Sequence, residues 1–133
     1  LLTSRDVGWS SGGGVRNPLT KEDIVIVAPY NAQVAALSEK LPGYRVGTVD
    51  KFQGQEAGVA IYSMTSSTSQ DVPRGMNFLY NPNRLNVATS RARCLSILVA
   101  SDKLLETDCR TIDQMRWTNA LCRYREMAKY FPL

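Results

Sequence analysis

Apolar residues gather in four short runs, separated by polar stretches that glycine and proline punctuate. The clearest run is Ile24-Val25-Ile26-Val27-Ala28. An unbroken apolar segment rich in β-branched side chains suits a central strand covered on both faces, as in a parallel sheet. Residues 45–49, 59–64 and 95–100 predict three further strands. After the first strand, Val34, Leu37 and Leu41 recur at helical spacing. Asn31 offers an N-cap and Pro42-Gly43 a stop, so a helix is predicted from Asn31 to Leu41. Asn81-Pro82 joins a capping side chain to proline at the first helical position. The helix it opens is expected to reach Arg93, with Leu85, Ala88 and Ala92 on a small apolar face. Thr111-x-x-Gln114 has the form of a capping box. It predicts a last helix with Trp117, Leu121, Tyr124, Ala128 and Phe131 on one stripe, ending near Pro132.

Strand, helix, strand, strand, helix, strand, helix favours an α/β domain with a mainly parallel sheet and helices on both faces. Ligands in such sheets gather beyond the carboxyl ends of the strands, where residues 29–33, 50–56 and 101–103 are expected. Residues 1–23 read as a polar lead-in or loop, and residues 24–133 as one domain. Ser10 to Gly14 forms a flexible stretch without the Gly-Lys-Ser/Thr that a phosphate-cradling loop requires. Residues 65–80, rich in Ser, Thr, Gly and Pro, read as a long excursion. Its Ser66, Ser67, Thr68 and Arg74 are donors of the kind that contact nucleic-acid phosphates.

Composition narrows the chemistry. The 133 residues contain no histidine, which removes Ser-His-Asp and Cys-His catalysis and histidine metal ligands. The three cysteines, Cys94, Cys109 and Cys122, form no Cys-x-x-Cys, so no metal site is expected and a reducing, cytoplasmic setting is the simplest reading. A net charge of +4 agrees with a polyanionic partner. No apolar run approaches a membrane span, and the opening Leu1-Leu2-Thr3 reads like the interior of a longer protein.

Two strings carry the chemistry. Residues 84–93 read Arg-Leu-Asn-Val-Ala-Thr-Ser-Arg-Ala-Arg. On a helix Arg84 and Arg91, seven apart, point the same way, and forked guanidinium groups grip phosphate oxygens. Residues 48–56 read Thr-Val-Asp-Lys-Phe-Gln-Gly-Gln-Glu. Gly54 allows close backbone approach to a ligand, and the Glu56 carboxylate suits a ribose hydroxyl or a bound water. The strings resemble motifs VI and V of superfamily 1 helicases, the second of them in the form used by the 1B branch. Pro29-Tyr30-Asn31-Ala32-Gln33 resembles motif IV, with Ala28 where the family usually has threonine. Gly58 stands where an acidic residue is usual.

The resemblance implies a RecA-like three-layer domain, the second lobe of a P-loop NTPase-type motor. Arg91 would be the arginine finger that reaches the γ-phosphate of ATP across a cleft. Gly54, Glu56, Arg84 and Tyr30 would lie on the nucleotide side, and Thr48 and Lys51 would touch the nucleic-acid backbone. The partners implied are a single strand, DNA by the nearest resemblance, and a first RecA-like lobe of the same parent protein. ATP and Mg2+ would be held mainly by that first lobe, because this sequence has neither a Walker A string nor an Asp-Glu box. The chain alone is therefore expected to be inactive. The nearest resemblance is to bacterial fusions of a RecB-like nuclease with such a helicase, although no Asp/Glu-x-Lys nuclease core occurs here. The alternatives are a non-catalytic nucleic-acid-binding or assembly module, or the clamp lobe of a nucleotide-regulated nuclease.

Overall fold

The computed structural model describes residues 7–10, 13–64, 66 and 75–131. Ser67, Thr68 and Arg74, expected as phosphate donors, lie outside them. The chain divides into two compact units, one taking in Leu1–Thr65 and Val87–Val99, the other Ser66–Asn86 and Ala100–Leu133.

The first unit is built on a four-stranded sheet in the order β4-β3-β5-β6, every neighbouring pair parallel. The strands are β3 (Ile24–Val27), β4 (Arg45–Gly47), β5 (Ala57–Ser63) and β6 (Ala92–Val99). All four residues of β3 are buried, as an unbroken β-branched run at the centre of a sheet requires. Helix α1 (Asn31–Lys40) turns Val34 and Leu37 onto a cluster of Ile24, Ile26, Val46 and Val59. Each such side chain, fully buried, contributes about 1.5–3 kcal/mol of transfer free energy. The helix starts one residue earlier than an Asn31 cap would place it. Tyr30 occupies the cap position without a side-chain cap bond, and Asn31 is the first helical residue. Leu41 closes the helix and Gly43 turns the chain at φ 85°.

Ahead of the sheet, β1 (Gly8–Ser10) and β2 (Arg16–Pro18) form a short antiparallel pair. This corrects the expectation of an irregular lead-in. The pair is held from outside its own sequence: Leu19 N–H donates to the Val7 carbonyl at 3.0 Å, and Val7, Trp9 and Leu19 join the sheet's apolar cluster. A hairpin of so few residues depends on that packing, which no local periodicity reveals.

In the second unit, α2 (Met76–Leu79) packs on α4 (Ile112–Met127). The predicted capping box is present. Thr111 Oγ1 accepts from Gln114 N–H, and the Gln114 side-chain Oε1 accepts from Thr111 N–H. The helix ends at Met127, earlier than Pro132, and Phe131 is exposed. Helix α3 (Pro82–Ser90) begins in this unit and ends in the first. Asn81 opens it as expected, its Oδ1 accepting from Asn83 N–H at 2.9 Å.

Helix α3 stops at Ser90, three residues short of the expected Arg93, and β6 begins at Ala92 instead of Leu95. The cause is the ladder with β5, which already pairs Ala57 with Ala92. Helical periodicity cannot foresee a partner strand that captures the end of a helix. Among the described residues, no helix is long and apolar enough to cross a membrane.

Candidate functional site

The segment from Thr48 to Glu56 joins two parallel strands. It leaves β4 at its carboxyl end, makes a 3-10 turn over Asp50–Phe52, and delivers Glu56 to the amino end of β5. The sheet's parallel order thus corrects the expectation that all of 50–56 lies beyond carboxyl ends. Phe52 is buried and anchors the turn. Gly54 turns the chain at φ 78°, where a side chain is strained, and a Cβ there would meet nothing within 4 Å. Backbone conformation, not crowding, sets the need for glycine. Gln55 then bridges the loop, donating to the Lys51 carbonyl at 3.0 Å and accepting from Arg45 at 2.7 Å.

The two motif strings meet at the amino edge of the sheet. Ala57 N–H donates to the Arg91 carbonyl at 2.9 Å, so the residue after Glu56 is tied to the arginine that precedes β6. Arg93 Nε donates to Glu56 Oε2 at 2.8 Å, with both side chains 54% exposed. At that exposure the pair adds at most about 1 kcal/mol to stability, so both groups are open to a ligand at little cost. The Arg91 guanidinium folds back on the end of α3, Nε donating to the Val87 carbonyl at 3.1 Å and Nη2 to Ser90 Oγ at 3.1 Å. Arg91 therefore lies beyond the helix, not on one face of it with Arg84.

Beside the Glu56–Arg93 pair is a hollow lined also by Ala57, Gly58, Trp9 and Arg45. Glu22 and Asp23, which end the turn before β3, complete it. Arg45 ties this wall together, donating to the Glu22 carbonyl at 3.2 Å as well as to Gln55. Thr20 N–H donates to Asp23 Oδ2 at 2.9 Å and holds that carboxyl below its ordinary pKa of 3.8. Burial opposes the shift, while the Thr20 hydroxyl, Trp9 and Arg45 reinforce it. A cleft edge with three carboxylates and two guanidinium groups can receive hydroxyl donors and anionic oxygens side by side.

The other expected residues lie elsewhere. Tyr30 and Thr48 follow β3 and β4 at the carboxyl edge, opposite to Glu56, so this unit does not bring them to one point with it. Lys51 Nζ donates to the Val46 carbonyl at 2.8 Å and lies 5.8 Å from the Phe52 ring centre. Gln33 Nε2 is engaged by the Ser63 carbonyl and hydroxyl at 3.1 and 2.9 Å. Arg84, in the second unit, stacks its guanidinium 4.0 Å from the Phe78 ring centre. Sequence reasoning passed over Trp9, Arg45, Asp23 and the pairing of Arg93. The one available signal was a tryptophan in an otherwise polar stretch.

Comparison with known proteins agrees with the strings. Residues 13–103, more than half of the chain, match the family model described as AAA domain. An uncharacterized ATP-dependent helicase of Caenorhabditis elegans, C05C10.2, is 40% identical over 86 residues, covering 63% of this chain and 5% of that protein. The DNA polymerase alpha-associated DNA helicase A of Schizosaccharomyces pombe is 41% identical over 91 residues, covering 65% and 13%. A probable RNA helicase of Drosophila melanogaster, armi, is 33% identical over 102 residues, covering 70% and 9%. The chain spans a small fraction of the length of these relatives. With the parallel α/β sheet and both motif strings at one sheet edge, the chain belongs to the AAA-domain family, among the superfamily 1 helicases.

Proposed function

We propose that this chain is the second motor lobe of an ATP-dependent nucleic-acid helicase. The observation that supports this most is the backbone bond from Ala57 to Arg91, which joins the motif V and motif VI strings at one edge of the sheet. In this reading ATP and Mg2+ are held mainly by a first RecA-like lobe, and the amino edge of this sheet closes over the nucleotide. Glu56 receives a ribose hydroxyl. Arg91 swings from the end of α3 to the γ-phosphate, stabilising charge as the phosphoryl group leaves. Its two hydrogen bonds within the chain are to a carbonyl and a hydroxyl, both neutral, so phosphate oxygens compete well for the guanidinium. Gly54 keeps the backbone of the loop accessible, and Arg84 and Tyr30 serve the nucleotide side from further off. Thr48 and Lys51 contact a single strand, DNA in our reading. A RecB-like nuclease fused to the parent rests on the resemblance of the motif strings.

Arg91→Ala in the full-length protein is the direct test. ATP turnover is expected to fall by about 10³–10⁵ while ATP binding persists. Near-normal turnover would remove the finger assignment. If ATP turnover is absent from the full-length wild-type protein and from any partner, the chain is a binding module instead. Turnover stimulated by single-stranded DNA and not by RNA is expected, and the reverse would change the substrate.

A further inference from the structure

Gly47 closes β4 immediately before the motif V string, and the space where its side chain would stand is already filled. A Cβ built there would overlap Cδ of Lys51 and lie 3.2 Å from its Cβ and 3.1 Å from Cε2 of Phe52. The lysine stem therefore runs across the bare backbone of Gly47. It carries Nζ to the Val46 carbonyl, to which it donates at 2.8 Å. The Gly47 carbonyl accepts from Ala28 N–H at 3.0 Å, on the side of β3. Carbonyls alternate in direction along a strand, so the Val46 carbonyl faces the outer side of β4, an end strand of the sheet. Phe52 is buried, and its ring centre lies 5.8 Å from Lys51 Nζ and 5.7 Å from the Arg45 guanidinium. Both cations thus belong to this edge, Arg45 within β4 and Lys51, which is exposed, tied back to it.

We propose that Gly47 is a positioning residue for nucleic-acid binding. By having no side chain, it fixes the Lys51 ammonium at the outer edge of the sheet, where the ammonium meets one backbone phosphate of a single-stranded nucleic acid. The inference rests on the reading of Lys51 as a nucleic-acid contact. An ammonium on a four-carbon stem is a mobile point charge, and ordering it at the moment of binding costs side-chain entropy. Here Nζ is held by the Val46 carbonyl and the Phe52 ring before any oligonucleotide arrives, so less ordering is left to do. One of its three N–H groups is used, and two remain for phosphate oxygens. The Thr48 carbonyl accepts from Lys51 N–H at 3.1 Å, so both proposed nucleic-acid contacts share one turn. The atom that a Cβ at position 47 would overlap lies on a flexible side chain. Gly47→Ala is therefore relieved by swinging the lysine aside, which costs the fold little but breaks the Val46 bond and displaces the ammonium. A lysine at an edge strand also discourages pairing with other sheets, and that role alone would leave nucleic-acid binding untouched.

The test titrates the full-length protein with a labelled single-stranded oligonucleotide over a range of salt, as wild type, Gly47→Ala, Lys51→Met and the double variant. Gly47→Ala is expected to weaken binding and to make the salt slope shallower by about 0.7, the value for one phosphate, as Lys51→Met does. The double variant should lose no more than either single one, because both remove the same contact. ATP binding should be unchanged in all three. If Lys51→Met makes the slope shallower while Gly47→Ala keeps that of wild type, or if the two losses add, the positioning role is overturned and the Lys51 contact stands. If Lys51→Met itself keeps the wild-type slope, the reading of Lys51 falls and this inference with it. Should Gly47→Ala fail to fold, thermal unfolding of Lys51→Ala with and without Gly47→Ala decides the matter. Recovery of folding once the lysine stem is gone would show that the stem is what the added methyl group meets. Failure of the combined variant, with Lys51→Ala folded, would assign Gly47 to the packing of Phe52 and overturn the proposal.

Discussion

At the scale of single residues, the site is a matter of which charges are bound and which are free to exchange. Glu56 and Arg93 hold each other at half exposure, an arrangement a ligand can open. Asp23 differs, because its carboxylate accepts from both the backbone N–H and the hydroxyl of Thr20. Its lowered pKa means that the folded state favours the charged form, with the Thr20 backbone bond the main cause. The resulting stability is fully present above the ordinary value of 3.8 and is lost as pH falls through the lower folded value. Thermal unfolding of wild type and Asp23→Asn across pH 2 to 7 should therefore show a wild-type advantage that is constant at the upper end and disappears only at the acid end (about pH 4 downwards). An advantage that grows as pH falls would show that Asp23 is stabilised in its neutral form.

At the scale of elements, caps and ladders decide where helices end. The Thr111–Gln114 box satisfies two backbone donors at the start of α4, a helix whose exposed Ile112 and Met115 contribute little burial there. Thr111→Ala should cost about 1 kcal/mol, read as a lower urea midpoint at unchanged slope. No loss would mean that packing alone holds this end. Helix α3 shows the opposite control. Asn81 fixes its start locally, but a strand partner fixes its end, with Ala57 and Ala92 paired and Arg91 left in the turn between helix and strand. That placement lets the Arg91 side chain fold back over the last turn of α3, onto the Val87 carbonyl and the Ser90 hydroxyl.

At the scale of the whole molecule, the proposed function requires a chain of net charge +4 to hold a polyanion. For a single strand, the logarithm of the binding constant should fall linearly with the logarithm of salt, with a slope of about −0.7 per phosphate neutralised. Lys51 gives one of its three donors to Val46, which leaves two for a phosphate. Lys51→Met is thus expected to make the slope shallower by about 0.7, in fluorescence-anisotropy titrations of the full-length protein with a labelled oligonucleotide. An identical slope would remove Lys51 from the interface. Thr48 carries no charge, so Thr48→Ala should weaken binding at every salt concentration alike.

The parallel α/β core was legible in the sequence because β3 is an unbroken β-branched run and α1 repeats its apolar residues at helical spacing. Local chemistry also announced both caps, at Asn81 and Thr111, and the two motif strings. Three-dimensional pairing decided the rest. Strand direction carried Glu56 to the amino edge while leaving Tyr30 and Thr48 at the other, and the β5–β6 ladder moved Arg93 from helix to strand and onto Glu56. Trp9 gained its place only when distant β5 offered a glycine to lie against. Periodicity records what a segment buries, whereas the residues that meet across a sheet edge are set by register and crossover, which no single segment contains.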